Sequence, residues 1–222
     1  MQPSKRIKAS DLIYTEIKKK IIEFEYEPNE HLSEESLSKT LEISRTPLRE
    51  ALYRLEMERL VTKQSTGRIV VARLTFAEAE EIFRVREVLE GLIAREATLK
   101  MNQEQLVKLE ETMGFMQSAA DSNRNADTIR YGSDFHQLLY EPSQNATAIS
   151  FLEQLRSRIE RYRRIGGYKH PHYIAKLPVE EHRQIFDYVR KKDAEGAEQA
   201  MRMHIRRSLD TIKETLETYF LK

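Results

Sequence analysis

The chain has 222 residues, of which 40% are hydrophobic and 33% are charged, and its formal net charge is +1. This composition is typical of a soluble protein with one large domain or two smaller ones, and the charge argues neither for nor against a nucleic-acid partner. The absence of cysteine excludes disulfides and thiolate metal sites. No apolar run approaches the roughly 18 residues that a membrane span needs, so we expect a cytoplasmic protein with no membrane partner.

The N-terminal third begins with the pattern of three short helices. Ser10 is placed to cap the first helix, whose apolar face begins at Leu12. Ser33 is placed to cap the second helix and Ser44 the third, which we expect over residues 45–59. Apolar residues at helical spacing predict the buried face of the third helix, formed by Leu48, Ala51, Leu52 and Leu55.

Two β-prone stretches follow the third helix, at residues 60–63 and 68–72. The four residues between them, Gln64-Ser-Thr-Gly67, fit the tip of a hairpin. Helix, helix, tight turn, helix and hairpin is the layout of a winged helix-turn-helix. We therefore predict such a domain over residues 1–73.

From residue 75 onward, long amphipathic patterns predict helices only. The fold class is therefore mainly α, with the N-terminal winged helix-turn-helix followed by a C-terminal antiparallel six-helix bundle over residues 74–222. The six predicted helices span residues 76–100, 103–121 after an Asn102 cap, 126–141 ending at Pro142, 146–164 ending before Gly166-Gly167, 178–192 and 193–220.

Two groups of motifs resemble known families. The runs Leu32-Ser-Glu-Glu-Ser-Leu and Ile43-Ser-Arg-Thr-Pro-Leu-Arg-Glu-Ala-Leu-Tyr-Arg-Leu resemble the DNA-binding domain of GntR-type regulators. Val85-Arg-Glu-Val-Leu-Glu, Asp134-Phe-His, Glu181-His-Arg and Met203-His resemble the FCD effector domain of the FadR branch. The resemblance implies a transcription regulator, commonly a repressor, that binds as a homodimer to a short inverted repeat in an operator. It also implies that a small organic acid bound in the helical domain changes the operator affinity.

The start of the third helix is the candidate DNA-reading surface. Arg45 and Arg49 lie one turn apart, beside the buried face, and the N-terminal residues of a recognition helix meet base edges and phosphates. An arginine pair alone would fit the solvated face of any surface helix, but the surrounding layout favours DNA contact. The resemblance places contacts at Arg45, Thr46, Arg49 and Gly67. The full predicted set is Ser44, Arg45, Thr46, Arg49, Thr66, Gly67 and Arg68.

His136, His182 and His204 lie on the apolar faces of three different predicted helices, so their imidazoles can meet in the bundle core. A lone histidine there is usually a core residue with its hydrogen bonds satisfied, whereas three suit a divalent transition metal such as Zn²⁺ or Ni²⁺. In metal-binding members of the resembled family these positions are ligands, with a carboxylate four residues before the first. Here that position is Gly132, so the fourth ligand is absent. Water or the effector then fills the position, or metal binds weakly, or no metal binds.

Arg86 lies among apolar residues of the first long helix, and a buried arginine needs an anionic partner. The resemblance suggests a carboxylate of the effector, and an ion pair with Glu90 at i+4 is the alternative. His170 and His172 are expected to face solvent in a loop. A basic cluster spread around the fourth long helix is expected to be mostly solvated surface: Arg156, Arg158, Arg161, Arg163 and Arg164.

Two other functions fit parts of the sequence. A three-histidine site with a bound water could make the chain a metal-dependent hydrolase. Against this, no inward carboxylate is predicted beside the histidines as a general base. A hydrolase function would also leave the winged domain unexplained. A non-specific DNA-packaging protein is the other alternative, but it predicts a stronger positive charge than +1.

Overall fold

The computed structural model describes residues 8–168 and 176–220. The chain divides into two compact units, Met1–Leu74 and Thr75–Lys222. His170 and His172, predicted to face solvent, lie outside the described residues. None of the helices within the described ranges is long and apolar enough to cross a membrane.

The N-terminal unit combines three helices with a small antiparallel sheet. The sheet has the strand order β1-β3-β2, with Val61 opposite Val71 and His31 opposite Val70. The first strand, which the sequence analysis did not predict, pairs with the second strand of the hairpin. The elements are α1 (Ala9–Ile22), β1 (His31–Leu32), α2 (Glu34–Thr40), α3 (Arg45–Met57), β2 (Val61–Lys63) and β3 (Ile69–Val71).

The core of this unit follows from helical spacing. On α1 the buried residues Ile13, Ile17 and Ile21 recur every four positions, which places them on one face. They share a buried cluster with the predicted face of α3, and burying each large aliphatic side chain stabilises the unit by about 1.5–3 kcal/mol. The α3 residues in the cluster are Leu48, Ala51, Leu52 and Leu55.

Three local predictions for these helices need correction. Ser10 does not cap α1: the N-cap is Lys8, and Ser10 is buried within the first turn. Leu12 lies outside the apolar face and is 58% exposed. Ser33 does cap α2 and accepts a hydrogen bond from the Ser36 amide, but Ser44 occupies the N-cap position of α3 without a side-chain cap hydrogen bond.

The C-terminal unit is helical throughout its described part, and the predicted fold class is confirmed. The described residues of this unit form six long helices, as predicted, and one single-turn helix. The longest pair, α4 and α10, packs together most extensively. The helices are α4 (Phe76–Lys100), α5 (Gln103–Asp121), α6 (Asn125–Leu138), α7 (Tyr140–Ser143), α8 (Ala146–Tyr168), α9 (Lys176–Arg190) and α10 (Ala194–Phe220).

Some helices of this unit do not end where the sequence predicted, because packing between helices outweighs the local effect of a proline or a glycine. The third predicted helix ends at Leu138 rather than at residue 141, and Pro142 lies within α7. The fourth continues through both glycines to Tyr168. A Cβ at Gly166 would lie 3.1 Å from Ile212 Cγ1, so this glycine allows α8 and α10 to pack closely and does not end the helix.

Candidate functional site

The N-terminus of α3 presents the predicted DNA-reading residues to solvent. Ser44, Arg45, Thr46 and Arg49 are all exposed. The Ser44 side chain makes no cap hydrogen bond to the first-turn amides of α3. Uncapped amides at a helix N-terminus are a general anion-binding arrangement. Arg49 Nε donates to Glu34 Oε2 over 2.9 Å, and the Arg49 side chain remains 65% exposed. A surface ion pair of this kind stabilises by at most about 1 kcal/mol, so it can be exchanged for another anion.

The hairpin between β2 and β3 forms the predicted wing. The Gln64 amide donates to the Arg68 carbonyl, and the Gly67 amide donates to the Gln64 carbonyl, each over 2.8 Å. Gly67 has a φ of +80°, a conformation that glycine adopts without strain. Thr66, Gly67 and Arg68 are exposed.

An open groove of about 440 Å³ lies between α3 and the wing. Arg49 and Gly67 line it, together with Tyr53 and Lys63, which the sequence analysis did not single out. The position of Tyr53, one turn after Arg49 on the same face of α3, was the available signal.

In the C-terminal unit, three helices bring three histidines together as the spacing predicted. His136 comes from α6, His182 from α9 and His204 from α10, and each is at most 5% exposed. One ring nitrogen from each lies within 4.8 Å of the others. The His182 and His204 ring centres are 4.3 Å apart. This cluster of three side chains is called the histidine cluster below.

Each imidazole of the histidine cluster is held through its Nδ1 atom by a partner outside the cluster. This leaves Nε2 as the nitrogen available to a ligand, and Nε2 of His136 and of His182 has no hydrogen-bond partner in the described part of the chain. Buried imidazole nitrogens oriented by such outer partners are typical of metal ligands, so the donor set fits a divalent transition metal. The Nδ1 partners are Glu90 Oε2 at 3.1 Å for His136, the Pro178 carbonyl at 2.6 Å for His182 and Glu181 Oε2 at 2.7 Å for His204.

Electrostatics favour the neutral form of all three rings. Burial lowers the pKa of His136, His182 and His204 well below the usual histidine value, because a charged ring in the interior loses its hydration. The positive charge of Arg86 lowers the pKa of His136 further. Neutral imidazoles keep the lone pairs that a metal needs.

Two carboxylates lie beside the histidine cluster, which corrects the prediction that no inward carboxylate would be found there. Both are engaged in hydrogen bonds to histidine Nδ1 atoms and in ion pairs with arginines. Glu90 pairs with Arg86, whose Nε lies 3.3 Å from Oε1, and Glu181 pairs with Arg207. In the sequence, Glu90 could have been found from its position four residues after Arg86, and Glu181 from its position directly before His182.

Arg86 forms the ion pair with Glu90 that the sequence left open as the alternative to an effector contact. Its side chain is 2% exposed, and its Nη1 atom has no partner among the described residues. It borders a cavity of about 40 Å³ that is also lined by His136 and Tyr140. Burial raises the pKa of the Tyr140 phenol, which therefore stays protonated and can donate.

Gly132 occupies the position at which the resembled metal-binding proteins have a carboxylate ligand. It is buried on α6, one turn before His136. A Cβ at this position would lie 3.6 Å from His182 Cε1 and 3.0 Å from Arg163 Nη2. The position therefore faces the histidine cluster, and an arginine side chain lies against it.

The prediction for the basic cluster of α8 was wrong for most of its members. Arg156 is 53% exposed at its side chain, as expected of solvated surface. Arg161 is 2% exposed, and the Arg163 side chain is 12% exposed. A second small cavity, of about 50 Å³, is lined by Arg163, His182 and His204.

The winged helix-turn-helix with an exposed basic recognition helix, followed by an all-helical domain, defines a DNA-binding transcription regulator. The model described as "Bacterial regulatory proteins, gntR family" matches residues 9–71, and the model described as "FCD domain" matches residues 81–207. The chain therefore belongs to the GntR family of bacterial regulatory proteins, with a C-terminal FCD domain.

Relatives along most of the chain agree with this assignment. The chain is 30% identical over 205 residues to the HTH-type transcriptional regulator YdhC of Bacillus subtilis (strain 168), covering 92% of this chain and 91% of that protein. It is 24% identical over 202 residues to the HTH-type transcriptional repressor RspR of Escherichia coli (strain K12), covering 91% and 88%. The solved structure "E. coli McbR/YncC" has the same fold, with a TM-score of 0.78 at 20% identity over 94% of this chain and 98% of that one.

The gntR-family model and both of these curated relatives are described as regulators. The chain is accordingly a transcription regulator and not an enzyme, and no finding supports the hydrolase alternative.

Proposed function

We propose that the chain is a homodimeric, cytoplasmic repressor that binds a short inverted repeat and whose operator affinity changes when a small carboxylate binds in the helical unit. The carboxylate binds beside a divalent transition metal, Zn²⁺ or Ni²⁺. The observation that carries this proposal is the buried histidine cluster, in which each Nδ1 is held and two Nε2 atoms have no partner among the residues that the structure describes.

DNA is read by the N-terminal turn of α3 and the wing. Arg45 and Arg49 reach base edges, where a bidentate arginine–guanine pair discriminates by about 1–3 kcal/mol. Thr46 and the uncapped amides of α3 bind phosphate. The remaining contacts are made by Ser44, Thr66, Gly67 and Arg68.

The metal is held by His136, His182 and His204. When bound, it supplies a Lewis-acidic centre that attracts anionic oxygen ligands. Glu90 and Glu181 fix the orientation of two of these imidazoles through Nδ1, and they keep the rings in the tautomer that presents Nε2.

Arg86 binds the effector carboxylate. Arg86 lines the 40 Å³ cavity, and its Nη1 has no partner within the described part of the chain. Leaving a buried guanidinium donor unsatisfied costs about 1–3 kcal/mol. A carboxylate oxygen removes that cost. Tyr140 lines the same cavity and offers a hydroxyl donor to the same ligand.

The dimer surface includes the outer face of α4. Val85, Val88 and Leu99 are 47%, 49% and 62% exposed and recur at helical spacing along this face. An exposed apolar stripe of this length is typical of a protein–protein contact. Repression is supported by the similarity to RspR, whose name is that of a transcriptional repressor.

The coupling between effector and operator is thermodynamic. A ligand changes DNA affinity only if it binds more tightly to one of two arrangements of the protein, and the same factor then applies in reverse. DNA must therefore change the affinity for the effector by the same factor.

Metal analysis and operator binding test the proposal together. Tag-free protein is loaded with Zn²⁺ or Ni²⁺, dialysed and analysed for bound metal. Its affinity for a selected operator is then measured by fluorescence anisotropy across a panel of small carboxylates. His136→Ala is expected to lose bound metal, whereas His31→Ala, which removes an exposed imidazole of β1, is expected to keep it. Equal metal content in all three proteins would contradict the metal site, and an operator affinity unchanged by every carboxylate would contradict the effector role.

A further inference from the structure

A carboxylate of α2 contacts the predicted recognition helix directly. Glu34, the first residue of α2, accepts a hydrogen bond from Arg49 Nε over 2.9 Å. The two residues lie 15 positions apart in the chain, so the contact crosses the turn between α2 and α3. Ser33 caps α2 by accepting from the Ser36 amide, which fixes the backbone that carries Glu34. The carboxylate is therefore presented to Arg49 from a well-defined turn of the chain.

The pair lies at the open groove between α3 and the wing. Glu34 and Arg49 both line this groove, together with Lys63 of β2. Their side chains are 33% and 65% exposed. The neighbouring carboxylate, Glu35, does not line the groove and pairs instead with Lys39 at 2.8 Å. Of these two adjacent acidic residues, only Glu34 is placed at the surface that we propose to face DNA.

Holding α2 against α3 does not require this ion pair. Leu37 of α2 shares one buried cluster with Leu48 and Leu52 of α3. Burial of large aliphatic side chains outweighs an exposed ion pair, because water screens the charges and two long side chains lose freedom when they pair. The contact with Glu34 therefore acts mainly on the side chain of Arg49 and not on the packing of the helices.

The geometry of the contact leaves the base-reading end of Arg49 available. A guanidinium has five N–H donors in a planar fork, and the hydrogen bond to Glu34 uses Nε. A bidentate contact with guanine needs two parallel donors toward O6 and N7, which the two Nη groups supply. A phosphate competes with Glu34 for the guanidinium as a second anion, whereas a guanine contacted through the Nη groups leaves the ion pair intact.

We propose that Glu34 is a positioning residue for operator reading: it orders the Arg49 side chain before DNA binds, so that Arg49 distinguishes guanine from the other bases at one position of each half-site. This inference rests on the proposed function, because it requires Arg49 to reach a base edge. An arginine loses much rotamer freedom when a contact fixes it, and a partner that fixes it in advance lowers this cost on binding.

Glu34 should therefore act in opposite directions on two kinds of DNA. On a duplex without the operator, the carboxylate repels phosphates and competes with them for Arg49, so its removal should leave the affinity unchanged or raise it. On the operator, its removal should lower the affinity because Arg49 is no longer ordered. The ratio of the two affinities should fall at least about fivefold, the lower end of what one bidentate base contact provides.

The test measures both affinities of the full chain by fluorescence anisotropy at one salt concentration, because salt strongly changes binding to phosphates. One duplex carries the inverted repeat that the unaltered chain selects, and the other has the same length and composition with a shuffled sequence. Glu34→Ala is compared with Glu35→Ala, which removes the same charge from the next position of the first turn of α2. The control should keep the affinity ratio within about twofold of the original.

A double variant shows whether Glu34 acts through Arg49. Arg49→Ala should lower the affinity ratio by itself, and adding Glu34→Ala should change it by less than about twofold, because no side chain is left to position. A direct contact of Glu34 with a base would instead make the two losses multiply. Each base pair of the repeat is also substituted in turn, and both single variants should lose discrimination at the same position. A folding defect would lower the affinity for both duplexes, so the ratio is insensitive to it.

The outcomes separate this inference from the proposed function. An affinity ratio of Glu34→Ala close to the original, an equal fall in Glu35→Ala, or losses that multiply in the double variant would overturn the role of Glu34 and leave base reading by Arg49 standing. Equal affinity of the unaltered chain for both duplexes, or an equal loss on both in Arg49→Ala, would overturn base reading by Arg49 and this inference with it. A fall that is confined to Glu34→Ala and adds nothing to Arg49→Ala supports both.

Discussion

Replacing Arg86 with methionine should destabilise the helical unit strongly, because it leaves the Glu90 carboxylate buried without its cation. Both side chains are 2% exposed, and Arg86 Nε lies 3.3 Å from Glu90 Oε1. At an effective dielectric constant of about 20, two unit charges at this distance attract by about 5 kcal/mol. Removing one partner of a buried pair costs about 3–5 kcal/mol of unfolding free energy.

The same helix offers a matched control. Arg84 and Glu80 form an i,i+4 pair on α4 with a distance of 2.8 Å, but their side chains are 73% and 38% exposed. Arg84→Met should therefore cost less than about 1 kcal/mol. Both variants are compared with the unaltered chain by urea denaturation, followed by circular dichroism. A cost for Arg86→Met within about 1 kcal/mol of that for Arg84→Met would refute the assignment of a buried, strongly coupled ion pair.

Three further predictions concern the DNA surface, the wing and the histidine cluster. Arg45→Ala should weaken binding to a selected operator roughly 5- to 150-fold in fluorescence anisotropy, since one bidentate base contact provides about 1–3 kcal/mol; an unchanged affinity would remove Arg45 from the interface. Gly67→Val should lower the unfolding free energy by about 1–3 kcal/mol, because a β-branched residue is strained at a φ of +80°; Thr66→Val is the control, and equal stability of the two variants would contradict the reasoning. Glu181→Gln should lower Zn²⁺ affinity about 10- to 100-fold in titration calorimetry, because the charged acceptor of the His204 Nδ1 proton is lost; an affinity within twofold of the original would contradict it.

The local sequence was sufficient to predict the bounds of a helix where a nearby side chain caps its N-terminus. Thr75 caps α4 by accepting from the Glu78 amide, and Asn102 and Gln105 form a reciprocal capping box on α5. The predicted bounds of these two helices agree with the structure. Helical periodicity also predicted the meeting of His136, His182 and His204, because each lies on the apolar face of its helix.

Prediction failed where a contact from another helix decides the outcome. Glycine usually ends a helix, but Gly166 allows a close approach of Ile212, so α8 continues. Arginine is usually solvated, but Arg163 fills the space that Gly132 leaves, and only the packing of α8 against α6 shows this. The pairing of Glu181 with His204 likewise joins α9 to α10. Each of these contacts joins residues of two helices, so no spacing of residues along one helix could have predicted it.

Selection of genomic DNA fragments on the purified protein tests whether this chain is a sequence-specific regulator. The selection is made at moderate salt with competitor DNA, on the unaltered chain and on Arg45→Ala. We expect the unaltered chain to enrich a short inverted repeat and the variant to lose that enrichment. Fragments without a common repeat, or the same repeat recovered with both proteins, would contradict sequence-specific reading by the N-terminus of α3.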